Sequence, residues 1–303
     1  MTNLKSKLET ILGKNRIKTN FSLSPYLSLR TKTEAHYYFE AETRDDLINA
    51  KRSSLNLNLP FFILGGGSNL AILKKNIPGL IVRNKYIHKK IENKNKHILL
   101  TVSSGYPVSK LAKELAEAGY EGLEYHFGLP GTIGGALYMN SKWTKPKLYV
   151  GDNLIFATLL DRDGKEKTVK RSYFNFAYDQ STLQKTKEIL LEAVFKLKKS
   201  DPQSIKQRAN FAMNYRKQTQ PFGVFTSGCF FKNINSKSAG KLIDQAGLKG
   251  KRIGKFHVSD KHANFIIHDG EGKPEDLRKL LQLIKNKVKN KFAISLEEEV
   301  IVI

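Results

Sequence analysis

The chain has 303 residues, more than one ordinary hydrophobic core organises, so two or three lobes are expected. Its 40% hydrophobic and 10% aromatic residues suit a globular protein, no apolar run reaches the ~20 residues that cross a bilayer, and Met1–Lys5 open no signal-peptide core, which makes the cytoplasm the expected compartment. A single cysteine, Cys229, excludes an internal disulfide and a cysteine-based zinc site. The net charge of +24, from 52 Lys+Arg against 28 Asp+Glu, raises the question of nucleic acid. The lysines are scattered, however, over Lys85–Lys96, Lys165–Arg171 and Lys285–Lys291, with no zinc-finger spacing, RRM signature or basic heptads, so a solvated surface that attracts small anions is expected instead.

In chain order, Thr43-Arg44-Asp45-Asp46 reads as a capping box opening a helix with Leu47, Ile48 and Ala50. Strands are expected at Phe61–Leu64, Gly79–Val82 and Ile98–Val102. An amphipathic helix between Pro107 and Gly119 carries Val108, Leu111, Ala112 and Leu115 on one face. Further strands are expected at Ile155–Leu160 and Ile189–Phe195. Lys196–Pro202 reads as a boundary, giving domains 1–199, subdivided near residue 85, and 200–303. The second domain should hold a helix from Pro202 toward Tyr215, strand Val224–Phe231, helix Ala239–Ala246, strand Phe265–His268, helix Glu275–Val288 and strand Ile294–Val302.

Two glycine clusters carry the chemistry. Strand Phe61–Leu64 runs straight into Gly65-Gly66-Gly67-Ser68-Asn69, and Gly122–Ala136 contains Gly128-Leu129-Pro130-Gly131-Thr132-Ile133-Gly134-Gly135-Ala136. Neither is a Walker A loop or a Gly-x-Gly-x-x-Gly turn. Two loops where backbone can approach a ligand closely suggest a cofactor gripped along a pyrophosphate; two unrelated surface turns are the plainer alternative.

These strings are followed in order by Gly228-Cys229-Phe230-Phe231-Lys232-Asn233, Leu242–Gly250, Val258-Ser259, His262-Ala263-Asn264-Phe265 and Leu296-Glu297-Glu298-Glu299-Val300. Together they resemble the UDP-N-acetylenolpyruvoylglucosamine reductase (MurB) family, from about Asn20 to the C-terminus. The resemblance implies an α+β protein with an FAD-binding fold of the vanillyl-alcohol oxidase/PCMH type and a smaller α+β C-terminal substrate lobe. It implies FAD and NADPH as cofactors, a UDP-sugar as substrate, and no metal, nucleic-acid or membrane partner; the oligomeric state stays open. The short interval from Asn233 to Ala239 resembles the type II branch. The flavin would be held by Leu64, Gly65, Gly66, Gly67, Ser68, Asn69, Gly105, Gly128, Pro130, Gly131, Thr132, Gly134, Gly135 and Ala136.

By the same resemblance, Cys229 stands where the family has a proton-donating serine, and Glu299 matches its final acid, with Glu298 in place of proline. Taken alone, Cys229 reads first as a small thiol packed behind Phe230 and Phe231, and three C-terminal glutamates as solvated charge; strand alternation would put Glu297 and Glu299 on one face. Arg216, Lys232 and Asn233 match substrate-binding positions, and His262 is either a substrate contact or structural. Three stretches depart from the pattern: Asp179 replaces an arginine expected near the substrate carboxylate, Ser141-Lys142-Trp143-Thr144 replaces small residues, and Thr31-Lys32-Thr33 replaces Ile-Gly-Gly. Either Arg216 or Lys232 supplies the missing cation, or activity is altered. A flavin oxidase of the same fold and a catalytically impaired FAD- or polyanion-binding relative are the alternatives.

Overall fold

A computed structural model describes residues 2–94, 97–234, 237–270 and 272–303. Two residues of the Asn233–Ala239 interval, 235 and 236, lie outside the described residues. The chain forms two compact units, residues 1–19, 37–66 and 79–215 in one and 20–36, 67–78 and 216–303 in the other. The contacts thus group the chain differently from a single cut at 199/200. Strand Ile189–Lys199 runs through the expected boundary, its end pairing with Tyr120–Glu121, and helix Pro202–Thr219 carries the first unit on to residue 215.

The first unit is built on an antiparallel sheet in the order Glu166–Lys170, Leu154–Leu160, Ile189–Lys199, His97–Ser103, Lys89–Lys94. Helix Val108–Glu117 buries Val108, Leu111, Ala112 and Leu115, the face expected from its spacing, and Ala116 besides; Val108, Leu111 and Leu115 join a core with Leu100, Val102, Phe174 and Phe195, and Ala116 packs with Ile205 and Ala209. Burying each large apolar side chain contributes about 1.5–3 kcal/mol. A smaller sheet, in the order Lys18–Ser22, Glu34–Ala41, Asn76–Asn84, Phe61–Leu64, pairs its last two strands in parallel, aligning Leu64 with Arg83. Helix Arg44–Asn56 begins with the expected box: Thr43 Oγ1 accepts from Asp46 N at 3.1 Å and Asp46 Oδ2 accepts from Thr43 N at 3.2 Å.

The second unit packs helices Ala239–Gln245 and Pro274–Phe292 with a three-stranded sheet of Arg252–Ile253, Phe256–Val258 and Ile266–His268. The long helix has Pro274 in its first turn with Glu275 and Asp276, and Lys289 and Lys291 in its last, which suits the helix dipole. Two expected strands are corrected. Val224–Phe231 makes only isolated bridges from Phe225, Cys229 and Phe231, because Gly223 and Gly228 take φ of +74° and +82° and break the pleat. Of Ile294–Val302 only Ile301–Val302 is strand, pairing in parallel with Leu70–Ala71.

Candidate active site

The chain passes from the first unit to the second within the triple glycine, between Gly66 and Gly67. Strand Phe61–Leu64 ends there with Leu64 buried. A Cβ on Gly66 would lie 2.6 Å from the Cα of Gly131, and one on Gly65 2.7 Å from Thr132 Oγ1, so the two glycine loops meet backbone to backbone. The second loop is also laced to residues 104–108: Ile133 N donates to Tyr106 O at 2.9 Å, Gly134 N to Ser104 O at 2.8 Å and Val108 N to Gly131 O at 3.1 Å. Gly105 sits in the same knot, where a Cβ would be 2.4 Å from Tyr86 O. Gly128 N donates to Ser109 Oγ, and Thr132 caps the following helix, accepting from Gly135 N. The amides of Gly128, Gly134 and Gly135 therefore shape the loop internally. Residues 64–69 and 128–136, Pro130 and Ala136 among them, contain no charged side chain, so a diphosphate there meets no carboxylate of the loops. Uncharged, glycine-rich backbone of this kind fits the pyrophosphate of FAD.

In the second unit Gly67 has φ +63° and would place a Cβ 2.2 Å from Tyr26 O, so only glycine fits. Past Ser68, the loop runs between two segments: Asn69 O accepts from Ile301 N at 3.0 Å, and Leu70 O accepts from Ser227 Oγ at 2.7 Å. Those segments carry the two expected catalytic residues. Cys229 bridges to Phe265, and Phe230 O accepts from Glu299 N at 2.8 Å, while Lys232 N donates to Glu297 O at 2.9 Å. The fully buried rings of Phe230 and Phe231 and the buried Leu296 and Val300 anchor both segments, leaving Cys229 and Glu299 partly exposed. The rings do this together with Asn264, a motif residue for which the sequence suggests no role. Its backbone O accepts from Phe230 N, its Oδ1 from Phe231 N, and its Nδ2 donates to Phe231 O. Ser227 was missed likewise; a serine beside a glycine gives no sequence signal of a bond to residue 70.

The residues expected to bind substrate are placed less uniformly. Lys232 Nζ lies 3.7 Å from Glu297, whose side chain is largely exposed. Asn233 Oδ1 accepts from Ala239 N at 3.0 Å and so supports the start of a helix. Arg216 is buried, and desolvation lowers its guanidinium to about 10, still charged at neutral pH. His262 Nδ1 accepts from Asn264 N at 3.3 Å, its ring packs edge-on to Phe265, and burial lowers its pKa with help from Lys249. These contacts give His262 a structural place in the 259–265 turn. In the first unit Asp179 has φ +51°, and its nearly buried carboxylate lies 3.6 Å from the ammonium of Lys142, which stands 3.4 Å above the Tyr178 ring.

Residues 35–170 match the FAD binding domain family, and residues 220–303 match the C-terminal domain of UDP-N-acetylenolpyruvoylglucosamine reductase. The reductase of Protochlamydia amoebophila is 36% identical over 286 residues, 94% of this chain and 93% of the relative. The chain belongs to the UDP-N-acetylenolpyruvoylglucosamine reductase family. The Bacillus pumilus reductase is also 36% identical, over 80% of this chain and 78% of its own. The crystal structure of the Thermus caldophilus reductase superposes with a TM-score of 0.79 at 30% identity, covering 95% of this chain and 98% of that one. The expected α+β flavoprotein fold holds. The family is one of oxidoreductases that use FAD with NADPH as reductant. No helix among the described residues is long and apolar enough to cross a membrane.

Proposed function

We infer that the chain reduces the enolpyruvyl ether of UDP-N-acetylglucosamine to UDP-N-acetylmuramate at the expense of NADPH, in peptidoglycan precursor synthesis and hence cell-wall biogenesis. It works in the cytoplasm on a soluble nucleotide sugar, whose negative charge the lysine-rich surface attracts. The observation that carries this reading is the bond from Glu299 N to Phe230 O, which ties the segment of the acid to the segment of the thiol in a chain that matches the family across both regions.

FAD bound there would supply hydride transfer from NADPH to one carbon of the enolpyruvyl double bond. The residues of this chain perform the rest. Gly65, Gly66 and Gly67 with Ser68 and Asn69, together with Gly105 and the 128–136 loop, hold the cofactor by backbone approach. The Cys229 thiol donates its proton to the carbon next to the one reduced and is reprotonated from solvent. The Glu299 carboxyl shares a proton with the enolate oxygen that forms before this transfer, an interaction realised mainly as charge develops. Phe230, Phe231 and Asn264 hold both segments in place. Lys232 and Arg216 provide positive charge for the diphosphate, with Asn233 and His262 supporting the substrate segments through the turns they brace.

NADPH consumption by the FAD-loaded protein, with and without the enolpyruvyl UDP-sugar, tests the reading. Oxidation that depends on the sugar and yields UDP-N-acetylmuramate is expected. Equal consumption without the sugar would mark an oxidase, and no consumption a binding protein; either result overturns it.

A further inference from the structure

Residues 69–71 are bonded along both edges, and each edge leads to one of the two residues given the chemistry. On one edge Ile301 N donates to Asn69 O at 3.0 Å and Ile303 N to Ala71 O at 3.1 Å, a parallel pairing that begins two residues after Glu299. Successive carbonyls of an extended chain point to opposite sides, so that of Leu70 faces away from this strand. It accepts from Ser227 Oγ at 2.7 Å. Ser227 is 2% exposed and stands two residues before Cys229. All of these residues belong to the second unit.

The thiol segment lacks the ladder that would otherwise fix it. Between Phe225 and Phe231 it makes isolated bridges, that of Cys229 to Phe265 among them. After Cys229 the chain is well held, with Phe230 N donating to Asn264 O at 2.8 Å and Phe231 N to Asn264 Oδ1 at 3.0 Å. Before it stands Gly228, with φ +82° and, among the described residues, no neighbouring atom within 4 Å of where a Cβ would be. That glycine is a joint which packing does not restrain. The hydroxyl of Ser227 fastens the residue before the joint to the loop that runs on from Gly67. We propose that Ser227 is a positioning residue for proton transfer: by tying the thiol segment to Leu70 it holds the Cys229 sulfur in register with the flavin loop, while the Glu299 segment is tied to the opposite edge of the same three residues. Ser227 acts through Cys229 and takes no part in the chemistry itself.

This proposal rests on the reductase reading, and the test separates the two. S227A removes one oxygen and adds no atom, so it introduces no clash, and circular dichroism monitors its fold. In stopped flow, reduction of the flavin by NADPH should stay within about 2-fold of wild type, while reoxidation by the enolpyruvyl sugar falls about 10- to 100-fold, the scale of a misplaced reacting group. Proton delivery then limits the sugar step, and its solvent isotope effect in deuterium oxide should exceed that of wild type. Cys229 is the chain's only cysteine, so alkylation by N-ethylmaleimide reads the same anchor without turnover, and its rate should rise several-fold in S227A. Equal slowing of the two half-reactions, loss of flavin, an unchanged sugar step or an isotope effect no larger than that of wild type would overturn the positioning role, as would an unchanged alkylation rate. If the sugar fails to reoxidise wild-type flavin while alkylation still quickens in S227A, it is the reductase reading that fails and not the anchor.

Discussion

Replacing Gly66 by alanine should leave a folded protein that has lost its grip on flavin. The added Cβ would sit 2.6 Å from Gly131 Cα, 3.3 Å from its N and 3.4 Å from its carbonyl carbon, all backbone atoms that cannot rotate aside. Ordinary contact begins at 3.4 Å, so the loops must part by about 0.8 Å. Overpacking of this kind costs about 1–3 kcal/mol. If the strain is relieved by separating the loops, the same free energy appears as roughly 5- to 150-fold weaker FAD binding. Fluorescence titration of the flavin-free protein with FAD, alongside circular dichroism to monitor folding, gives both numbers. Wild-type flavin affinity in folded Gly66→Ala would refute the argument that backbone contact between these loops builds the cofactor site.

Cys229→Ala should slow oxidation of the flavin by the enolpyruvyl sugar by about 100-fold or more, the usual worth of a general acid, and leave flavin reduction by NADPH within about 2-fold; stopped-flow absorbance separates the half-reactions, and an unchanged sugar step removes Cys229 from the chemistry. Glu299→Gln should impair the same half-reaction by about 10- to 1000-fold with little effect on flavin content, and loss of flavin instead would make the residue structural. Burial lowers the pKa of both His262 and His268, so the folded state disfavours their protonation while the unfolded chain takes up protons near the ordinary value of about 6.5. The stability they contribute is complete above that value and declines as pH falls through it. Melting temperature should therefore drop between about pH 7 and about pH 5, and His262→Gln should flatten the drop; a melting temperature that rises over this interval contradicts the sign.

Local signals were legible in the sequence where they are complete within a few residues. The Thr43–Asp46 box, strand Phe61–Leu64 and helices Val108–Glu117 and Pro274–Phe292 each carry their own pattern of caps and apolar spacing. The sequence pattern overstates strand where apolar composition continues through a residue that cannot hold a pleat, as at Gly228 within Val224–Phe231. It missed elements whose partner is distant. Leu70–Ala71 is two residues long, too short for any periodicity, and exists because Ile301–Val302 lies beside it. That pairing also explains why residues 67–78 group with the C-terminal part, which no composition shift announces. The Lys142–Asp179 pair has the same origin. Each residue looked like an isolated oddity, and the bonds from Asn140 Nδ2 to Ala177 O and from Ser181 Oγ and Gln184 Nε2 to Tyr138 O bring the two stretches together.

The central claim is that one flavin serves NADPH and the enolpyruvyl sugar in turn. Under anaerobic conditions the yellow protein should bleach on addition of NADPH and regain its colour when UDP-N-acetylglucosamine enolpyruvate is added, with one UDP-N-acetylmuramate formed per flavin recoloured. Bleaching that the sugar fails to reverse, or recovery of colour without that product, would contradict it.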